Sequence, residues 1–261
     1  MDEDYNGGVP SLVATTYSWT KAANIFYLDQ PVGTGFSYAR TPLAEKPSDT
    51  RQAEQVSDFV RKWLVDHLEF LSNPFYVTGD SYAGLVVPGI VQQISKGNEQ
   101  GSKPRVNLQG YALGNPATDA RFDGNYHTQY AHGMGLISDE LYESLKRSCG
   151  ENYISPGNSE CINLLQDYDK CVSRLFDEFI LIPNCEISLR TFPPQRRYLR
   201  GAVDGNLSVP GLDCYERRRS LIYYWANDES VHRALHVTNG SIGTWVRCRR
   251  DIPYEAAYRT T

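Results

Sequence analysis

The chain has 261 residues and a formal net charge of -5; 41% of its residues are hydrophobic and 22% are charged. This composition is typical of a globular protein with one large domain or two small ones. The acidic balance gives no support for binding to nucleic acid or to an anionic membrane surface, and no apolar run approaches the ~20 residues of a membrane span.

The first elements are short. Residues 1–23 are rich in glycine and other turn formers, and the apolar run at 24–29 predicts a buried strand. A loop with Gly33 and Gly35 follows, up to Tyr38. It does not resemble a phosphate-binding loop, because no Gly-Lys-Ser/Thr follows the glycines and no helix opens on them.

A helix is predicted from the cap at Ser48 and Asp49 to about Leu71. Its apolar residues recur at i, i+3 and i+4, which gives one apolar stripe: Val56, Phe59, Val60, Trp63, Leu64 and Leu68. His67 lies at the edge of this stripe and is interpreted as structural rather than catalytic.

The stretch 75–87 predicts a short buried strand, a sharp turn with Ser81 at its tip, and the start of a helix running to about residue 95. A serine on such a turn is typical of the nucleophile elbow of α/β-hydrolases. The usual pattern is G-x-S-x-G. Here Gly79 occupies the first glycine position, Ala83 replaces the second glycine, and Gly84 comes one residue later. The N–H of Tyr82, beside the helix N-terminus, would point at an oxyanion. A Gly-Asp-Ser turn between any strand and helix is the alternative that this stretch alone leaves open.

Residues 106–113 predict another strand, ending at Gly114 and Asn115. Strands and helices that alternate at these spacings indicate right-handed crossovers in a parallel sheet. After Asn115 the pattern becomes helical, over 124–147 and 159–179. A long loop with proline and arginine covers 183–214, and a helix over 221–237 has Asn227 or Asp228 as its cap.

Metal chemistry has little support in the sequence. His127 and His132 are five residues apart on a predicted helix, which is poor geometry for a zinc site, and no C-x-x-C motif is present. We expect neither a metal nor a cofactor.

All six cysteines lie after residue 148, at irregular spacing that indicates disulfides and an oxidising compartment. Two N-glycosylation sequons, at Asn206 and Asn239, agree with that location. The first residues are acidic and polar and do not form a signal peptide. A secretory composition without a leader predicts that the chain is part of something longer.

Four motifs in order resemble successive signatures of the serine carboxypeptidases, with the plant serine carboxypeptidase-like proteins most similar. They lie at residues 17–20, 26–38, 76–84 and 110–116. The resemblance extends from residue 1 to about 254. It implies an α/β-hydrolase fold, with a core region at 1–116, a helical, disulfide-bearing insertion at 117–220, and the start of a C-terminal core region at 221–261.

The resemblance implies a Ser-Asp-His triad, in that chain order, that forms an acyl-enzyme. Ser81 matches the nucleophile and Tyr82 the residue whose N–H forms half of the oxyanion hole. Substrate contacts are implied for Gly33, Asp80 and Asn115.

The resemblance also implies two disulfides, Cys149–Cys161 and Cys185–Cys214. Cys248 would pair with a cysteine upstream of residue 1, and Cys171 has no assigned partner.

Three departures from the family pattern matter for activity. The family's Gly-Gly-Pro-Gly loop, which supplies the other oxyanion donor, would precede residue 1, and the leader and opening strands are missing. The catalytic Asp and His would follow the stretch around Tyr254. None of the five histidines, at positions 67, 127, 132, 232 and 236, is predicted on a loop after a late strand, where a base belongs. We therefore expect this polypeptide by itself to be inactive or nearly so.

Asp80 bears on the choice between two reactions. Peptidases of the family place Glu before the serine, where its protonated carboxyl holds a substrate's C-terminal carboxylate. The shorter Asp80 favours plant members that transfer acyl groups from glucose esters, although Asp80 could instead only orient the elbow.

The expected substrate is thus an acyl-glucose type small molecule or a peptide, in the secretory pathway, the vacuole or outside the cell. A non-catalytic relic that binds such groups or a partner is the alternative.

Overall fold

The structure is a computed structural model that describes residues 7–42, 46–176, 179–181, 215–249 and 251–256. The chain divides into two compact units, one formed by Met1–Tyr27 with Asp169–Arg247 and the other by Leu28–Tyr168 with Cys248–Thr261. The second unit contains both strands and the serine turn. The three-part division into 1–116, 117–220 and 221–261 stays a prediction.

The described residues form seven α-helices and two strands. The helices are α1 (Asp49–Asp66), α2 (Ala83–Glu99), α3 (Ala120–Gly133), α4 (Asp139–Cys149), α5 (Ser159–Val172), α6 (Tyr215–Ala226) and α7 (Glu229–Ala234). The strands are β1 (Phe75–Asp80) and β2 (Leu108–Gly114).

The strands β1 and β2 pair in parallel, with Tyr76 opposite Gly110 and Asp80 opposite Gly114. A parallel pair needs a crossover, which α2 supplies. The apolar stripe predicted for α1 packs against α2 in the core, except that Leu68 lies beyond the end of α1 and is exposed. The buried members of this cluster are Ala53, Val56, Val60, Leu64, Val86, Ile90, Ile94 and Val106.

The predicted strand at 24–29 is wrong. No strand pairing involves these residues in the part of the chain that the structure describes, and Tyr27 is 77% exposed. Leu28 packs partly against the core cluster. A short apolar run becomes a strand only where a neighbour offers its backbone groups, and such a partner is not a local property of the sequence.

Two predicted helices are divided. The helix expected over 124–147 is in fact two helices, α3 and α4. The turn between them contains Gly135, with a φ of +68°, and Ser138, whose side chain caps α4 by accepting a hydrogen bond from the N–H of Leu141. The helix expected over 221–237 is α6 and α7, because Asp228 caps a new helix by accepting from Ser230. The predicted cap at Asp228 is therefore confirmed.

Three helix ends also differ from the prediction. The helix α1 ends at Asp66 and α5 at Val172, both earlier than expected, whereas α2 continues to Glu99. The ends of α1 and α5 lack the glycine or proline signal that would have marked them, whereas α2 ends two residues before Gly101, which has a φ of +81°.

Arg61 is a buried cation that ties α1 to the end of α2. Its guanidinium donates to the carbonyl oxygens of Ile94 (2.9 Å) and Pro104 (2.6 Å) and to Oδ1 of Asn98 (3.3 Å). Asn98 in turn holds the backbone of Val106, at the approach to β2. Burial lowers the pKa of Arg61 from its ordinary value. The bonded carbonyls at the C-terminus of α2 favour the charged form.

We expect Arg61→Met to lower the free energy of unfolding by about 3 kcal/mol, because buried carbonyl groups lose charged donors that no water replaces. Urea denaturation followed by circular dichroism measures this change. Arg51→Ala is the matched control, since the Arg51–Glu54 ion pair is exposed and is worth less than about 1 kcal/mol. Equal losses for the two variants would contradict this account of Arg61.

Candidate active site

Ser81 lies at the turn between β1 and α2 and has a φ of +60°. Residues other than glycine rarely adopt this left-handed region, and such strain costs on the order of 1–3 kcal/mol. Three backbone hydrogen bonds hold the conformation. Ser81 N–H donates to the carbonyl of Gly114 (3.0 Å), while the Ser81 carbonyl accepts from Gly84 (3.0 Å) and Ala117 (2.8 Å). The end of β2 and the residues after it therefore hold the serine in place.

Two glycines permit the close packing of this turn. A Cβ on Gly79 would lie 2.4 Å from Cβ of Ala83, and a Cβ on Gly84 would lie 2.3 Å from the carbonyl oxygen of Ala117. Both separations are far inside van der Waals contact. Cβ of Ala83 thus occupies the space beside Gly79, and the turn forms with Ala83 in place of the second glycine of the G-x-S-x-G pattern.

The hydroxyl of Ser81 is available for chemistry. Ser81 is exposed, and its Oγ makes no hydrogen bond with any residue in the described ranges. Tyr82 is the N-cap of α2, so its backbone N–H lies at the positive end of a 17-residue helix. A helix N-terminus favours negative charge, which is what develops on a carbonyl oxygen when a serine attacks it.

Asp80 and Asn115 flank Ser81 at the same edge of the sheet. Asp80 ends β1, and Asn115 follows β2 with a φ of +40°. The Asp80 carboxylate lies over Gly114, since a Cβ built there would be 2.9 Å from Oδ1. Ligands of open α/β sheets bind beyond the carboxyl ends of the strands. The structure therefore brings together Asp80, Ser81, Tyr82 and Asn115.

Gly33 belongs to a separate, internally bonded loop. The Asp29 carboxylate accepts from the N–H of Phe36 (2.8 Å), and Gly33 donates to the carbonyl of Ser37 (3.0 Å). Gly35 must lack a side chain, because its Cβ would collide with the Asp29 carboxylate. Within the described residues, no hydrogen bond joins this loop to Ser81, so a substrate contact by Gly33 stays a prediction.

The three histidines in the unit of Ser81 form no hydrogen bond with it. His67 stacks on Trp63, with ring centroids 4.3 Å apart. His132 stacks on Tyr142 at 4.0 Å and lies 2.7 Å from Oδ1 of Asp139.

The remaining histidine of this unit, His127, affects the pKa of Asp123. The pKa of Asp123 is lowered chiefly by a hydrogen bond from the backbone of Thr118, with a smaller contribution from His127. His232 and His236 belong to the other unit.

The sequence interpretation missed a hydrogen-bond cluster behind the turn. The phenol of Tyr82 donates to Oδ2 of Asp49 (3.0 Å), and the phenol of Tyr254 donates to Oδ1 of the same carboxylate. The sequence predicts Asp49 only as part of the cap of α1. Separations of 33 and 205 residues leave no local pattern that could have revealed these contacts.

Cys149 and Cys161 form a disulfide between the end of α4 and the start of α5. Cys171 and Cys248 are free and exposed. The pair Cys185–Cys214 and the sequon at Asn206 lie outside the described residues. Asn239 is exposed in a turn after α7.

A sequence profile of the serine carboxypeptidase family matches residues 4–261, so the chain belongs to that family. The predicted membership is confirmed. Among its relatives, the chain is 54% identical to serine carboxypeptidase-like 7 of Arabidopsis thaliana over 254 residues, covering 97% of the chain and 53% of the relative. It is 52% identical to serine carboxypeptidase-like 17 of the same plant over 261 residues, 99% of the chain and 54% of the relative. The chain thus spans about half the length of the curated relatives it matches.

A solved structure shows the same fold. It is the crystal structure of KEX1(delta)P, a prohormone-processing carboxypeptidase from Saccharomyces cerevisiae, with a TM-score of 0.54 and 19% identity over 85% of this chain and 48% of the other. The predicted α/β-hydrolase fold is confirmed. None of the helices formed by the described residues is both long and apolar enough to cross a membrane.

Proposed function

We propose that Ser81 is the nucleophile of a serine acyl-transfer reaction. Its Oγ attacks a carbonyl carbon, its proton passes to a base, and the leaving group departs with a proton, which leaves an acyl-enzyme. A second nucleophile, water or an alcohol, then takes the acyl group and frees Ser81. The observation that carries the proposal is the φ of +60° at Ser81, on a strand-to-helix turn that leaves the hydroxyl exposed.

The N–H of Tyr82 is proposed to stabilise the oxyanion. It follows the nucleophile directly and lies at the N-terminus of α2. Its dipole is already oriented before the reaction, so no reorganisation is needed as charge develops. A second donor is proposed from outside the described residues, at the position of the family's Gly-Gly-Pro-Gly loop.

The base is proposed to be none of His67, His127 and His132. A base must lie within about 3 Å of Oγ, directly or through one water. His67 and His132 are stacked on aromatic rings and lie beside carboxylates, and all three are on or beside helices rather than at the carboxyl edge of the sheet. A base and its orienting acid would come from the half of the family's length that this chain does not match.

The acyl donor is proposed to be a small ester rather than a peptide. Asp80 supports this choice, because its carboxylate lies against the backbone at Gly114 and is one methylene shorter than a glutamate. In the complete protein, turnover of an acyl glucose and of a blocked dipeptide should be compared. Faster cleavage of the dipeptide would favour the peptidase reaction and leave the role of Ser81 unaffected.

A secretory location is proposed on two observations, the Cys149–Cys161 disulfide and the exposed sequon at Asn239. Expressed in plant cells, the protein should lose the mass of one glycan at Asn239 on deglycosylation, and Asn239→Gln should remove that shift. A wild-type protein without glycan at Asn239 would refute this assignment.

Covalent trapping tests the nucleophile. A p-nitrophenyl alkylphosphonate forms an Oγ–P bond and releases p-nitrophenolate, and peptide mass mapping then identifies the modified residue. We expect the adduct on the peptide that contains Ser81. An adduct confined to other hydroxyl groups would overturn the proposal.

A further inference from the structure

Two phenols from distant parts of the chain meet at one carboxylate. Tyr82 donates to Oδ2 of Asp49 at 3.0 Å, and Tyr254 donates to Oδ1. Gln52 lies one turn further along α1, and its Oε1 is 3.0 Å from the Tyr254 hydroxyl. Hydrogen bonds to an ionised carboxylate are roughly twice as strong as those between neutral groups. Both oxygens of Asp49 are therefore occupied by donors in fixed directions.

The backbone around this carboxylate is held as well. The side chain of Ser48 accepts from the N–H of Arg51 and caps α1, which fixes the first turn where Asp49 lies. The N–H of Glu255 donates to the carbonyl of Pro47 (2.9 Å), and a parallel bridge joins Ser48 to Glu255. The segment that carries Tyr254 is thus fastened to the N-terminus of α1.

Tyr82 connects this cluster to the nucleophile turn. Tyr82 is 37% exposed, its phenol donates to Asp49, and its own N–H directly follows Ser81 in the chain. The residue makes no side-chain capping bond to α2. The contact with Asp49 fixes its ring relative to α1.

We propose that Asp49 and Tyr254 are positioning residues that hold Tyr82, and through it the oxyanion-binding N–H, in place. The inference rests on the proposed function of Ser81 and Tyr82. Productive sites hold their groups within about 0.5 Å, and a donor that is misplaced loses much of its effect on the transition state. Tyr254 acts indirectly, because its hydrogen bond fixes the Asp49 carboxylate that accepts a hydrogen bond from the Tyr82 phenol.

The test uses the chain with three variants, Asp49→Asn, Tyr254→Phe and Tyr82→Phe. The first readout is phosphonylation of Ser81 by the p-nitrophenyl alkylphosphonate, with imidazole present as an external base. The maximal rate constant is separated from the phosphonate's dissociation constant. We expect Asp49→Asn to lower the maximal rate constant by about 10-fold and Tyr254→Phe by about 3-fold, with the dissociation constant unchanged. On the Tyr82→Phe background, Asp49→Asn should cause no further loss, because the contact that it breaks is already absent.

The second readout does not depend on reactivity. In the 15N-labelled protein, the amide resonance of Tyr82 should move in Asp49→Asn and Tyr254→Phe. Two controls should leave it in place: Tyr76→Phe, an exposed tyrosine on β1, and Glu54→Gln, an exposed carboxylate on α1. Tyr254→Phe removes a single oxygen, so it keeps the test valid if Asp49→Asn fails to fold.

The two proposals can fail separately. If the wild-type chain and a Ser81→Ala variant take up the phosphonate equally slowly with imidazole present as an external base, the proposed function fails, and the Tyr82 amide resonance still decides the positioning role. An amide resonance that Asp49→Asn leaves unmoved would overturn that role. Equal losses of rate in Asp49→Asn and Glu54→Gln would overturn it as well.

Discussion

Ser81→Ala is expected to abolish the hydrolysis of p-nitrophenyl acetate that imidazole supports in this chain. Because none of the three histidines in this unit hydrogen-bonds to Ser81, the wild-type chain alone should turn the ester over slowly. Imidazole added at increasing concentration can act as an external base for the serine hydroxyl. We expect a Ser81-dependent rate that rises with imidazole, and its loss by about 10³-fold or more in the variant, after subtraction of the rate of imidazole alone.

Two outcomes would contradict different parts of this account. An imidazole-supported rate equal in wild type and Ser81→Ala would remove Ser81 as the nucleophile. A high Ser81-dependent rate without imidazole would show that the chain holds its own base, and His67→Ala, His127→Ala and His132→Ala would then identify it. In either case the variant must keep the wild-type Tm.

Ser81→Gly tests separately the role of the Ser81 hydroxyl in the reaction and the energetic cost of its left-handed backbone. It should remove the same activity and also stabilise the chain by about 1 kcal/mol, because glycine adopts a φ of +60° without the cost that serine and alanine bear. Thermal unfolding of Ser81→Gly beside Ser81→Ala measures that difference directly. A residue in an unstrained turn would give no such difference.

The sequence alone predicted those parts of the fold that depend on local spacing. The α1 stripe, both strands and the turn at Ser81 follow from periodicity, from small residues at Gly79 and Ala83, and from a serine between strand and helix. The break between α3 and α4 was also visible, in Gly133 and Gly135 before the capping residue Ser138. The prediction missed it because the apolar pattern continues across the break.

Contacts between distant residues could not be predicted in this way. The run at 24–29 has the composition of a strand, but pairing depends on a neighbour that no local pattern specifies. The bonds of Asp49 to Tyr82 and Tyr254 depend on how α1, α2 and the segment around Tyr254 pack.

Gly84→Ala is expected to disturb the turn at Ser81 more than a glycine-to-alanine substitution anywhere else in α2. Its Cβ would lie 2.3 Å from the carbonyl oxygen of Ala117, 2.9 Å from its nitrogen and 2.6 Å from Cβ of Pro116. Two of these atoms are backbone and the third is a ring carbon of proline, so none can turn away. We expect the free energy of unfolding to fall by about 3 kcal/mol, measured by urea denaturation.

The same clash should also change the reactivity of Ser81. To relieve it, α2 and the chain after β2 must separate, which lengthens the 2.8 Å bond from the N–H of Ala117 to the carbonyl of Ser81. That bond helps to hold the left-handed turn, so phosphonylation of Ser81 should slow by at least about 10-fold in the folded fraction. Gly133→Ala is the matched control, since nothing lies within 4 Å of its Cβ and alanine is the better helix former by about 1 kcal/mol. If Gly84→Ala unfolds and reacts like Gly133→Ala, the packing of α2 against residues 116–117 does not set the geometry of the nucleophile.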